Sequence, residues 1–328
     1  MNFEPIKVTV GENRYGKEGI RLIKVNRSSE QHKFSEWTVR VLLEGDFDSS
    51  YEEGDNSKIL PTDTMKNTVY SLARRLQTES MEDFGKELVN FLHERNPQVS
   101  TIEVKISGKA WEPIRVNQTT YPTAFVQTSN EIQLTTVKRA KTGPFSIVSG
   151  LDNLLVIKTA KSSFTGYMKD SLTTLPEADD RLFGTSIRAL WTYDQNDGRV
   201  LYERLRQKIR NTILEVFSKH ESKSVQRKSS LLYEQNKNKN YTPLLFIDTL
   251  HAIGKTILED ISNNVIQIHT TMPNIHCLLF DLSRFGQDNP NEIFYPIDDP
   301  HGLIQCCLKR QSNTSSSRQS SKVLQSKL

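Results

Sequence analysis

Residues 59–76 read ILPTDTMKNTVYSLARRL. An apolar pair and a proline give way to Thr62-Asp63-Thr64, and a helical pattern starts at once. Met65, Val69, Leu72, Ala73 and Leu76 fall on one face at helical spacing. Thr62 or Asp63 is placed to accept from the free N–H groups of the first turn, so a helix cap is expected. The neighbours of this helix decide the fold. GIRLIKVNR (19–27) and SEWTVRVLLEGDF (35–47) precede it and alternate apolar with polar residues, as half-buried strands do. A second helix follows, starting at Ser80 with Asp83 three positions beyond the cap. Its face is Phe84, Leu88, Phe91 and Leu92, and it stops before Pro97. TIEVKIS (101–107) and AFVQTSNEIQLTTVK (124–138) are the next strands. The order is β-β-α-α-β-β.

The second half has the same plan with little residue-level similarity. Strands are expected at NLLVIKTA (153–160) and TSIRALWTY (185–193). A long helix carries Leu201, Leu205, Ile209, Ile213, Val216 and Phe217, and another carries Leu250, Ile253, Ile257, Leu258 and Ile261. NVIQIHTT (264–271) and IHCLLFDL (275–282) are the last strands. Two antiparallel sheets, each with a helix pair on one face, make an α+β chain of two similar modules. The first is expected over 1–145 and the second over 146–309, divided within TGPFSIVSG (142–150). Open sheet edges invite closure by self-assembly.

The chain has 328 residues and a net charge of +4, with 43 basic residues interleaved among 39 acidic ones. That balance favours an anionic partner mildly and does not argue for nucleic acid. No apolar stretch approaches the ~18 residues of a membrane span, and the N-terminus has no signal-peptide core. The three cysteines, Cys277, Cys306 and Cys307, suggest neither a zinc site nor a disulfide framework. Residues 310–328 form a Ser-rich tail expected to be disordered, ending in Ser326-Lys327-Leu328. That tripeptide is a receptor-read peroxisomal address, so a peroxisomal import receptor is an expected partner.

Several chemistries lack their motifs. GKT at 254–256 has Thr249 where a phosphate-binding loop needs glycine, and it sits inside a helical pattern. No G-x-G-x-x-G follows a strand and no G-x-S-x-G elbow occurs. The seven histidines show no metal-ligand spacing.

RYGK (14–17), TDTMKN (62–67), SVQ (224–226) and MPNIHCLLFDLS (272–283) together resemble the urate oxidase (uricase) family. SSFTGYMKDSLTTLPEADDRLFGT (162–185), DPHGLIQC (299–306) and the S-K-L end extend the likeness. The resemblance implies tandem tunnelling-fold modules associated into a homotetramer, with active sites between subunits. It implies cofactor-independent oxidation of urate by O2 and water to 5-hydroxyisourate and H2O2, with no metal.

It also implies roles. Phe164 matches the ring on which urate stacks, since a flat purine suits an aromatic face. Arg181 matches the arginine whose guanidinium fork grips the anion. Val225 offers a backbone N–H, and the Gln226 amide complements the urate edge. Thr62 and Asp63 match the pair that reaches in from a neighbouring subunit, where the helix start also suits an anion. Lys17, Thr62 and His276 match a proton relay. A lysine held neutral by burial or a nearby cation can act as base near neutral pH, and a hydroxyl can pass the proton on. Asn274 matches the residue beside the O2 and water position.

The chain departs from the family at RKSSLLYEQNKNKNYTPLLFID (227–248), which intervenes directly after Gln226. A non-catalytic homologue that assembles or binds purines, inactivated by this insertion, is therefore the alternative reading. A pterin- or GTP-directed enzyme of the same fold would need His and Cys clusters that do not appear.

Overall fold

A computed structural model describes residues 8–78, 80–178, 180–194, 200–219, 245–261, 264–297 and 299–311. Val225, Gln226, insertion residues 227–244 and Ser326-Lys327-Leu328 lie outside the described residues.

The first half runs β1 (Tyr15–Asn26), β2 (Lys33–Gly45), a short α1 (Asp48–Glu52), α2 (Thr62–Arg75), α3 (Met81–Arg95), β3 (Val99–Val116) and β4 (Thr119–Ala140). The second runs β5 (Ser146–Lys158), β6 (Phe183–Tyr193), α4 (Tyr202–Lys219) and α5 (Leu245–Thr256), which passes into a π-helical turn at Ile257–Ile261. β7 (Val265–Leu279), β8 (Phe294–Ile297) and β9 (Leu303–Lys309) close it. α2 packs on β1, α3 on β3 and β4, and α5 on β7 and β9.

The helix faces follow the sequence pattern. Met65, Val69, Leu72 and Ala73 of α2 are buried, as are Phe84, Leu88 and Leu92 of α3. Each large side chain removed from water contributes about 1.5–3 kcal/mol. On α4 the buried stripe is Leu205, Ile209, Ile213 and Phe217, while Leu201, expected on that face, precedes the helix and is exposed. Gly254 weakens α5 locally but permits close packing, since a Cβ there would lie 2.6 Å from Leu308 Cδ1 on β9.

The strands form one nine-stranded antiparallel sheet in the order β1-β2-β3-β4-β5-β6-β7-β8, with β9 also paired to β7. The sheets of the two halves run into each other through β4 and β5, with Ile132 opposite Asp152 and Lys138 opposite Ser146. β5 therefore starts inside the stretch expected to be a boundary. Its alternation was obscured because buried Ser149 stands between inward-facing Ile147 and Leu151. The two strands expected at 264–271 and 275–282 are the single β7. Thr271 opposes Arg188 and Asn274 opposes Thr185 in one register, so Pro273 interrupts the ladder and not the strand. β9 was not expected as a strand, and its Ile304, Cys306 and Leu308 are only partly buried.

Two further corrections concern helix starts. Ser80 caps α3 as expected, its Oγ accepting from Asp83 N at 3.1 Å. α2 differs: Pro61 is its N-cap residue, Thr62 is its first helical residue, and no side chain caps it. Residues 245–248, assigned to the insertion, are the first turn of α5.

A buried ion pair joins the halves. Arg206 of α4 donates to Glu82 of α3, whose side chain is fully buried. Arg206 also donates to the carbonyls of Gly150 (2.8 Å) and Leu134 (3.2 Å) and to Thr135 Oγ1 (3.1 Å). Thr135 and Ser149 hydroxyls donate to the same Glu82 oxygen. These bonds make the burial of both charges tolerable, with only Arg206 Nε of the pair left without a hydrogen bond and Glu203 Oε1 4.0 Å from it.

Candidate active site

The sequence-derived residues fall into two groups. The first is built on β1 and α2. Lys17 stands at a β-bulge: it opposes Val41, whereas Ile20 opposes Val39, so one extra residue is accommodated, and Gly19 takes φ 72°. A bulge bends the strand and re-aims the side chains beside it. Gly16 presses against β2 so closely that a Cβ would lie 1.8 Å from Val41 O. Lys17 is half-buried, and Thr62 is half-buried at the start of α2. Asp63 is exposed; it accepts from Lys66 Nζ and, at 2.8 Å, from Asn67 Nδ2. Lys66 chiefly, then Asn67 and the charge of nearby Lys17, hold the Asp63 carboxyl below its ordinary pKa. Lys17, Thr62 and Asp63 thus share one corner. With its first turn uncapped by any side chain, α2 directs free N–H groups there.

The second group surrounds the loop from β5 to β6. Phe164 and Ala178 exchange backbone hydrogen bonds of 2.7 and 3.0 Å, which closes the loop on itself. Asp180 Oδ1 accepts from the backbone N–H groups of Ser162 (2.9 Å) and Arg181 (3.0 Å). This brings Arg181 to Phe164, with Cζ 4.7 Å from the ring centroid. Burial lowers the pKa of the Arg181 guanidinium. Tyr167 stacks on Phe164 at 4.6 Å and 17°, and its hydroxyl donates to Leu175 O. Glu177 pairs with Lys169 at 3.0 Å.

Asn274 and His276 belong to the same group because the start of β6 lies against β7, with Gly184 opposite Ile275 and Thr185 opposite Asn274. Asn274 N donates to Gly302 O at 2.7 Å, and its Nδ2 lies 3.1 Å from His276 Nδ1. The same Nδ2 lies 3.4 Å from His276 Nε2, so the amide faces the imidazole ring and donates to whichever nitrogen is unprotonated.

Within one chain these groups lie on different strands of the sheet, the first at β1 and the second at β5–β7. β1 is one end of the sheet order and β7 the seventh strand. Six inter-strand steps amount to roughly 29 Å along the sheet path. Among the described residues no cluster of three or more His, Cys, Asp or Glu could hold a metal ion.

Two residues were not singled out from the sequence. Tyr167 carried a signal: it lies three residues after Phe164 across Gly166, whose φ of 70° turns the chain so that the rings meet. Tyr15 carried none beyond its place in RYGK; its hydroxyl reaches Leu60, far along the chain.

The uricase family model matches residues 13–138 and 147–305, most of the chain. The chain belongs to the uricase family. It is 33% identical to the uricase of Dictyostelium discoideum over 304 residues, covering 92% of this chain and 98% of that one. It is 30% identical to the uricase of Oryctolagus cuniculus over 297 residues, covering 90% and 93%. The crystal structure of uricase from Arthrobacter globiformis superposes with a TM-score of 0.80 at 30% identity, covering 95% of this chain and 99% of that chain. The likeness therefore extends over both halves of the chain.

Proposed function

We propose that this uricase-family chain is a urate oxidase, converting urate, O2 and H2O to 5-hydroxyisourate and H2O2 without a cofactor. The observation that carries the reading is Arg181 held over Phe164 in a chain of this family. The ring supplies a face for a flat purine, and the fork supplies paired donors to an anion's edge. Val225 and Gln226 complete that edge. Lys17 takes the proton that urate must lose before it gives an electron to O2, and Thr62 relays it toward His276. Asn274 stands beside the O2 and water position, and Asp63 with Thr62 meets the far side of the ring. The two groups stand at opposite ends of one sheet, so each site is assembled from two chains. A homotetramer of chains, each built of modules 1–145 and 146–309, closes the open edges. The Ser326-Lys327-Leu328 terminus directs it to the peroxisome.

The test is urate consumption by the purified, metal-stripped chain, followed by ultraviolet absorbance with H2O2 assayed in parallel. One peroxide per urate without added cofactor is the expected result. No turnover by an assembled oligomer overturns the reading in favour of a non-catalytic homologue, and deletion of 227–244 then tests whether the insertion is responsible.

A further inference from the structure

Lys17 and Thr62 sit on different elements; Tyr70 and Lys24 tie α2 to β1 farther along, at Arg21 O and Leu76 O, and the Tyr15 side chain ties them at the end where Lys17 and Thr62 lie. Tyr15 precedes Lys17 by two residues on β1, and its hydroxyl accepts from Leu60 N at 2.8 Å and donates to Leu60 O at 3.3 Å. Leu60 precedes Thr62 by two residues. A single phenol oxygen therefore satisfies both backbone groups of the residue before Pro61, which has no N–H of its own. The ring is fixed by edge-on contact with Phe47 at 4.8 Å and 85°. Gly16, with no room for a Cβ, presses this part of β1 against β2. The run into α2 has no side-chain cap to hold it, so the Tyr15 bridge takes that part.

We infer that Tyr15 is a positioning residue for the reaction: by fixing the backbone of Leu60 it sets the geometry of Lys17 against Thr62. The inference rests on the proposed urate oxidation. Burial raises the phenol pKa, so the hydroxyl keeps the proton it donates to Leu60 O. A bridge of this kind acts through placement; a displacement on the order of 1 Å at a reacting group lowers rates by about 10²-fold.

Three full-length proteins test it: the unaltered chain, Tyr15→Phe and Pro61→Gly, each assayed on urate in H2O and in D2O. Tyr15→Phe removes the bridge and keeps the ring. Pro61→Gly loosens the same segment at an exposed position. For Tyr15→Phe, kcat should fall about tenfold with KM within about twofold, and the solvent isotope effect on kcat should rise as proton transfer becomes slower. Pro61→Gly should raise the isotope effect in the same direction, and it carries the test if Tyr15→Phe does not fold. Unchanged kcat, or a fall with an unchanged isotope effect, overturns the positioning role, because loss of folded protein alone leaves that ratio as it was. No oxidation by the unaltered chain overturns the activity itself and the role with it.

Discussion

The two halves of the chain share an order of elements and differ in how their helices are joined. In the first, α2 and α3 are separated only by residues 76–80, and Ser80 both ends the connection and caps the next helix. In the second, α4 and α5 are separated by residues 220–244. Both helix pairs nevertheless bury a continuous apolar stripe on the same sheet. Burial of an apolar face fixes where a helix lies, whatever the number of residues between one helix and the next. In the proposed reaction the halves also divide the chemistry: the first supplies Lys17, Thr62 and Asp63, the second Phe164, Arg181, Asn274 and His276.

The division of chemistry can be tested from either side. Lys17→Met removes the proposed base from the first half and should lower turnover by about 10²–10⁴-fold. Thr62→Ala should act in the same direction. Neither should change the oligomer seen by sedimentation, and wild-type turnover in both would remove the relay.

Arg206→Met cuts the bridge between the halves and strands the Glu82 charge in the core. It should cost about 3–5 kcal/mol of stability by urea unfolding. Adding Glu82→Leu should recover most of that loss, since a well-packed apolar pair needs no partner charge. If the double variant is as unstable as the single one, the ion pair is not the link.

Arg181→Lys keeps the charge of the second half's platform and loses the fork. Urate binding should weaken by about 2 kcal/mol, read as a KM rise or by calorimetry. Equal affinity would mean the contact is not bidentate.

The smallest effect separates the halves by pH. His93 on α3 has its pKa held below 6.5, by burial first and by Arg139 and Lys141 after it, with Nε2 3.1 Å from Arg139 O. The folded state resists the proton that the unfolded state accepts. Stability should therefore be full above about pH 6.5 and fall as pH drops from there through the folded value. His93→Gln should flatten that slope. The end of the second half's helix pair has Lys208 on Ile261 O and Arg310 on Leu258 O in place of a histidine.

Much of this was legible in the sequence, for a physical reason. Apolar periodicity records burial, so the stripes of α2, α3 and α4 and the Ser80 cap could be read directly. What escaped was structure held by long-range polar contact. Ser149 looked like an interruption because its partner Glu82 lies on another element. Pro61 looked like a prelude to a capped helix because the Tyr15 hydroxyl that holds the turn comes from β1. β7 was split at Pro273 because a missing N–H and a strand end look alike in one dimension. Resemblance supplied the site residues themselves. The pairing of Arg181 with Phe164 depends on a loop closed by the Phe164–Ala178 bridge and braced by Asp180, contacts between residues more than a dozen positions apart that no local pattern signals.

In the proposed assembly, where one chain brings the β1 group and its neighbour the β5–β7 group, the division has a genetic consequence. A Lys17→Met chain keeps a sound Arg181 edge, and an Arg181→Lys chain keeps a sound Lys17 edge. Each is defective by itself, yet co-expressed copies would complement one another wherever the two sound edges meet. With random pairing of equal amounts, about one junction in four would be intact, the share expected of heterologous contacts drawn independently. Two defective alleles of this gene would then restore in one cell what neither encodes alone.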